Sequence, residues 1–306
     1  FKGVVNMGDV VSSTFELTAT GTAGLDFGLV PNLMYDDPAM TMAVRAATRG
    51  MERAPVVDKQ GTPAPRPTDY YVGGYAARPG VEPIAVQYDD TPTTIYMEDF
   101  ESYQSTEDVQ STWIIGRFQG VTTPNTWMLT TLTMPDESTN NVLATAAPGE
   151  NYVPDMGTYA VMPPFDFSSI EIDGAAQLPA RIGFDYAGEM EPVWDGFFID
   201  VYVEGWYERT IAVANSEGNL LIDGEGHYVE LDLSWLAGAP YVEFVFGFYS
   251  DGGAEFGFGF LFDDVSISVQ PSPITYRVNG TPADGGYVTL DGVTTVEVEY
   301  DSGFGV

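Results

Sequence analysis

The chain has 306 residues, 44% of them hydrophobic, enough to bury a core in one large or two small domains and too many for a disordered tail. Its 45 Asp and Glu against 11 Lys and Arg give a formal charge of −34, a surface that repels nucleic acid and anionic lipid, so neither is expected as a partner. The absence of Cys excludes disulfides, thiolate metal sites and cysteine nucleophiles, and no run approaches the roughly 18 apolar residues of a spanning helix, so no membrane insertion is expected.

Three sources of the acidity stay open: divalent-cation sites, a saline habitat whose ions screen self-repulsion, or colloidal solubility. Lys2 and Lys59 are the only lysines. The balance favours an extracellular or cell-surface location in a salt- or calcium-rich medium. Phe1-Lys2-Gly3 reads neither as a start nor as a signal peptide, so the expectation is a cut product or a fragment of a longer polypeptide.

Residues 1–34 carry alternating apolar and polar residues broken by Gly, from Gly8-Asp9-Val10 to Leu25-Asp26-Phe27, and read as two or three strands. Residues 35–93 change character. Met40, Met42, Arg45, Arg49 and Arg53 fit one short helix, and then Pro55, Pro63, Pro65 and Pro67 favour extended chain. Six of the eleven basic residues fall here, so this linker is the part that an acidic domain attracts against itself.

Residues 94–270 read as many short strands. The clearest are Arg181 to Tyr186, Phe197 to Val203, Tyr228 to Leu233, Tyr241 to Phe248 and Phe260 to Val269, where period-two alternation over aromatic and β-branched residues marks one buried face. Their spacing argues for a β-sandwich. After Pro271 and Pro273 a new unit supplies strands at Thr275 to Val278, Tyr287 to Leu290 and Thr294 to Tyr300, too few to stand alone. Both ends therefore look like half-domains, either remnants of larger domains or strands completed by other chains, copies of this one among them.

The order Gly, strand, Gly21-Thr22-Ala23, then Leu25-Asp26-Phe27 resembles the middle of immunoglobulin-like modules of secreted bacterial proteins. The 94–270 region carries Met97-Glu98-Asp99-Phe100, Trp113, Phe165-Asp166-Phe167-Ser168, Trp194-Asp195-Gly196-Phe197, Ser250-Asp251-Gly252 and Phe262-Asp263-Asp264-Val265-Ser266-Ile267 in order. This set resembles the MAM-like jelly-roll module of immune inhibitor A-type metallopeptidases and of cleaved-adhesin domains of gingipain-like proteases. The resemblance implies an all-β fold, a jelly-roll β-sandwich flanked by partial immunoglobulin-like segments (1–34 and 271–306). It further implies a non-catalytic accessory role and calcium held at Glu98, Asp99, Asp263 and Asp264.

The first and last strands of a jelly roll often lie side by side, which would gather these four carboxylates for an ion that takes about six to eight oxygens. Strand alternation alone would send one of each adjacent pair to the opposite face. A second calcium site is expected to use Glu191, Asp195 or Asp251. Trp127, Trp194, Trp206 and Trp235 admit a sugar-stacking platform, so a glycan is the alternative ligand, although most aromatics at this spacing are core.

Catalysis is not expected. No His-Glu-x-x-His motif occurs, and His227, the only histidine, has no Gly-x-Ser-x-Gly elbow to serve and reads as a surface or hairpin residue. Glu171-Ile172-Asp173 resembles the start of a glycosidase catalytic strand but lacks the later Glu. Asn279-Gly280-Thr281 is a glycosylation sequon, in keeping with export.

Overall fold

The computed structural model describes residues 10–18, 25–29, 33–48, 81–87, 93–147, 149–169, 180–191, 193–215, 218–252, 257–269, 274–278, 281–282, 286–290 and 293–301. Most of the proline-rich stretch, the Glu171-Ile172-Asp173 motif and the Asn279 sequon lie outside these.

The expected strands form, and they stack as an all-β sandwich. The back sheet runs Leu33–Asp36, Gly226–Asp232, Ala180–Glu189, Gly259–Val269, Thr139–Ala144, Met128–Thr133. Thr93–Glu98 also joins it, antiparallel to Gly259–Val269, so the early and late strands of the sandwich are neighbours as anticipated. The front sheet runs Trp206–Ala214, Gly196–Val203, Val242–Tyr249, Phe165–Asp166, Ile84–Ala85, with Gly157–Val161 bridging Val242–Tyr249 to Ile114–Arg117.

Alternation fills the space between the sheets with aromatics. Phe262 touches Trp127 at 5.1 Å and Phe246 at 4.7 Å between ring centres, and Phe197 stacks on Phe260 at 3.8 Å. All five are fully buried. Such pairs add about 0.5–1.5 kcal/mol each beyond area burial, which explains how a chain without disulfides holds its core.

Two features rest on long-range pairing. The terminal segments pair with each other: Val10–Thr18 lies antiparallel to Val293–Asp301 over nine residues, and Leu25–Leu29 to Gly286–Leu290 over five. The end strands, read either as remnants of larger domains or as strands completed by other chains, thus find partners within this one. The start of the 35–93 segment, for its part, belongs to the sandwich. Leu33–Asp36 adds to the back sheet at Gly226–Asp232, and the helix Pro38–Ala47, capped by Asp37, lies across the outer side of that sheet. Met40, Ala43 and Val44 are buried there against Leu132, Val142, Ala144 and Leu261. A side chain at Gly226 would meet Thr41 N at 2.5 Å, so only glycine lets this strap sit so close.

Candidate functional site

Asp263 and Asp264 lie on the long Gly259–Val269 strand. Strict alternation would separate them, but Asp264 has φ 49° and the register against Ala180–Glu189 slips between Gly183 and Asp185. This β-bulge leaves Phe262 and Val265, three residues apart, both in the core. The two carboxylates between them therefore share the outer face, where Asp185 lies directly across from Asp263.

Asp263 is 1% exposed; its Oδ2 accepts from Asn140 Nδ2 at 2.8 Å, and its buried Oδ1 has no hydrogen-bond partner among the described residues. Burial, with the neighbouring Asp264 charge adding to it, pushes the Asp263 carboxyl up to about 8. Asp185 is likewise raised to about 8 by burial and then by Asp37 and Asp264. Burial also raises Asp264, with Asp99, Asp37 and Glu101 contributing through their charge. An open groove of about 390 Å³ borders this cluster, lined by Asp37, Asp185, Asp264 and Ser266 among others.

Of the four residues named from the resemblance, Asp99, Asp263 and Asp264 fall in this neighbourhood. Glu98 is differently engaged: it is mostly buried and accepts hydrogen bonds from Phe100 N at 3.0 Å and Tyr103 OH at 2.9 Å. Asp99 caps its own turn by accepting from Glu101 N at 3.1 Å. Sequence reasoning missed Asp185 and Asp37. The alternation Phe184-Asp185-Tyr186 marks Asp185 as outward-facing, but only strand pairing sets it opposite Asp263.

A second acidic set closes one end of the sandwich. Glu191, Asp195 and Asp251, from two loops, place carboxylate oxygens within 4.8 Å of one another. Asp195 is fully buried; its Oδ1 accepts from Asp251 N at 2.9 Å and its Oδ2 from Tyr152 OH. The 191–195 turn is held by Asp195 N donating to Glu191 O at 3.0 Å. Three ionised carboxylates at this spacing repel by about 3.5 kcal/mol per pair at an effective dielectric of 20. Solvent reaches the half-buried Glu191 and Asp251 and lowers this figure, and a cation between the three would offset what remains. Oxygen donors alone, several of them charged, suit a hard cation such as calcium.

His227 departs from expectation. It is 2% exposed, with Nε2 2.9 Å from Asp223 Oδ1 and Nδ1 3.2 Å from Asp36 Oδ1, because Leu33–Asp36 covers the strand edge on which it sits. The tryptophans do not form one platform. Trp127 is core and donates to Phe246 O at 3.2 Å, Trp235 lies under the Arg209 guanidinium at 3.9 Å, and Trp206 is 80% exposed at a hairpin tip.

No protein-family model matches the chain, and no curated protein matches it. Among solved structures, it is similar to the K3 cleaved adhesin domain of Lys-gingipain from Porphyromonas gingivalis, at 15% identity and a TM-score of 0.34, covering 58% of this chain and 99% of that one. Among the described residues no helix is long and apolar enough to cross a membrane.

Proposed function

We propose that the chain is a non-catalytic extracellular or cell-surface interaction module whose sandwich is stabilised by calcium, serving as an accessory region of a secreted peptidase or a subunit of a surface assembly. The observation that carries this reading is the Glu191, Asp195 and Asp251 triangle, where two loops converge their carboxylates within 4.8 Å and one of the three is fully buried. The outer-face carboxylates of Asp185, Asp263 and Asp264 are offered as a second, less compact candidate, since the buried Asp263 Oδ1 has no hydrogen-bond donor among the described residues and a cation nearby would take the donor's place.

The excess of 34 negative charges fits a medium rich in divalent cations. Strand exchange between copies has less support, because Val10–Thr18 and Leu25–Leu29 pair within the chain. Glycan or protein docking is the second reading, favoured by the exposed Trp206 and Tyr207 on the Glu204-Gly205 hairpin.

Thermal unfolding in calcium and in EGTA at fixed ionic strength tests the main reading. A gain of several degrees with calcium, not reproduced by magnesium, is expected. Equal melting temperatures in both would overturn it.

A further inference from the structure

The front sheet ends in Trp206–Ala214, which pairs with Gly196–Val203 on one side and, among the described residues, with no strand on the other. An open edge of this kind is a template for another strand. Its far half is closed. Asn219 accepts from Val213 N at 2.8 Å and donates Nδ2 to Ile211 O at 3.1 Å, while Leu220 N reaches Val213 O at 3.0 Å. A loop thus does there what a partner strand would do. Among the described residues no such clasp covers the near half, residues 206–209.

This near half is rigidly built. Glu204 and Gly205 have φ 50° and 83°, the two left-handed residues of a tight hairpin loop. The closing pair of such a hairpin, Val203 with Trp206, exchanges hydrogen bonds and the next pair, Tyr202 with Tyr207, does not. The N–H and C=O of Tyr207 therefore point out of the free edge. Tyr207 also packs edge-on to Tyr202 at 5.8 Å, and its hydroxyl lies 3.1 Å from Thr210 Oγ1, which donates to the buried Asp200 at 2.6 Å. Its ring is pinned on the outer face of the sheet while 54% exposed. Trp206, 80% exposed, takes the opposite face by alternation.

A single sugar ring cannot stack on both aromatics, whereas a strand laid along the edge sends alternate side chains past each. Glu204 and Glu208 are exposed beside them, and the Arg209 guanidinium is turned onto Trp235 at 3.9 Å. The edge is thus negative, and a chain with 45 acidic and 11 basic residues meets a second copy of itself with repulsion.

We infer that the 206–209 edge binds a short extended segment of a different, basic protein by strand addition, with Trp206 and Tyr207 holding its side chains from the two faces. This rests on the docking reading of Trp206 given above and is independent of calcium. The segment is short because Glu208 is an extra residue where the register slips, and because the Asn219 clasp closes the edge beyond it.

Calorimetry on the full chain with a blocked heptapeptide alternating lysine and valine, together with hydrogen exchange, tests the inference. The peptide should bind and slow amide exchange over residues 206–210 by about fivefold. Trp206→Ala should weaken binding by about tenfold or more, whereas Met97→Ala, also exposed but on the back sheet, should leave it unchanged. The same peptide N-methylated throughout keeps its charge but donates no backbone hydrogen bond, and should not bind. Equal binding by that form would overturn strand addition and leave docking at Trp206 standing. Binding unaffected by Trp206→Ala would overturn the site. Cellohexaose binding through Trp206 where the peptide fails would overturn the basic partner in favour of a glycan, and no binding by either probe would overturn both this inference and the docking reading.

Discussion

Replacing Asp251 by Asn is the sharpest test of the loop triangle, because it keeps shape and backbone while removing one charge of three. Each ionised pair within 4.8 Å would cost about 3.5 kcal/mol at an effective dielectric of 20. Solvent reaches the half-buried Glu191 and Asp251 and lowers this to about 1–2 kcal/mol per pair. Asp251→Asn removes two of the three pairs, so in EGTA the variant should be more stable than the parent by about 2–4 kcal/mol. That corresponds to roughly 3–6 °C in melting temperature for a protein of this size. With calcium at about 100 times its dissociation constant the parent should gain about 2.7 kcal/mol, and the variant less than half of that. Calorimetric melts of both proteins under both conditions, at matched ionic strength, should show the advantage of the variant shrinking or reversing when calcium is added. A variant that is less stable in EGTA and keeps the full calcium increment would refute the reasoning.

Other consequences follow from the same geometry. In EGTA, stability should fall as pH rises: Asp185 and Asp263 are raised from 3.8 to about 8, so between those values the folded state binds more protons than the unfolded one and the slope is negative. Denaturant titrations at pH 5, 7 and 9 should show the loss and Asp263→Asn should flatten it; a rise with pH would contradict the assignment. Phe262→Ala should cost about 3–5 kcal/mol, because the ring is fully buried among Trp127, Phe197 and Phe246. Gly226→Ala should loosen the strap, seen as faster amide exchange in residues 39–48, with the main melting transition little changed. Trp206→Ala should alter stability by less than about 0.5 kcal/mol given its 80% exposure, so any loss of glycan or protein binding in that variant reports docking directly.

The sequence by itself determined the class of fold. Period-two alternation in Phe197 to Val203, Tyr241 to Phe248 and Phe260 to Val269 dictates strands with one aromatic face, and two such faces must cover each other to leave water. The acidic motifs Trp194-Asp195-Gly196, Ser250-Asp251-Gly252 and Phe262-Asp263-Asp264 were also legible as candidate ligands, the last through its resemblance to the jelly-roll module. Tertiary structure decided which of them meet. A left-handed residue at Asp264 turned adjacent carboxylates to one face, strand pairing set Asp185 across from Asp263, and a strap from some 150 residues upstream brought Asp37 to the same groove. Likewise the two terminal segments read as separate halves because nothing local in either records the other. Pairing between residues nearly 300 positions apart is written in complementary edges rather than in spacing. Alternation and turn signals are properties of neighbours along the chain, whereas charge clusters and sheet completion are properties of neighbours in space.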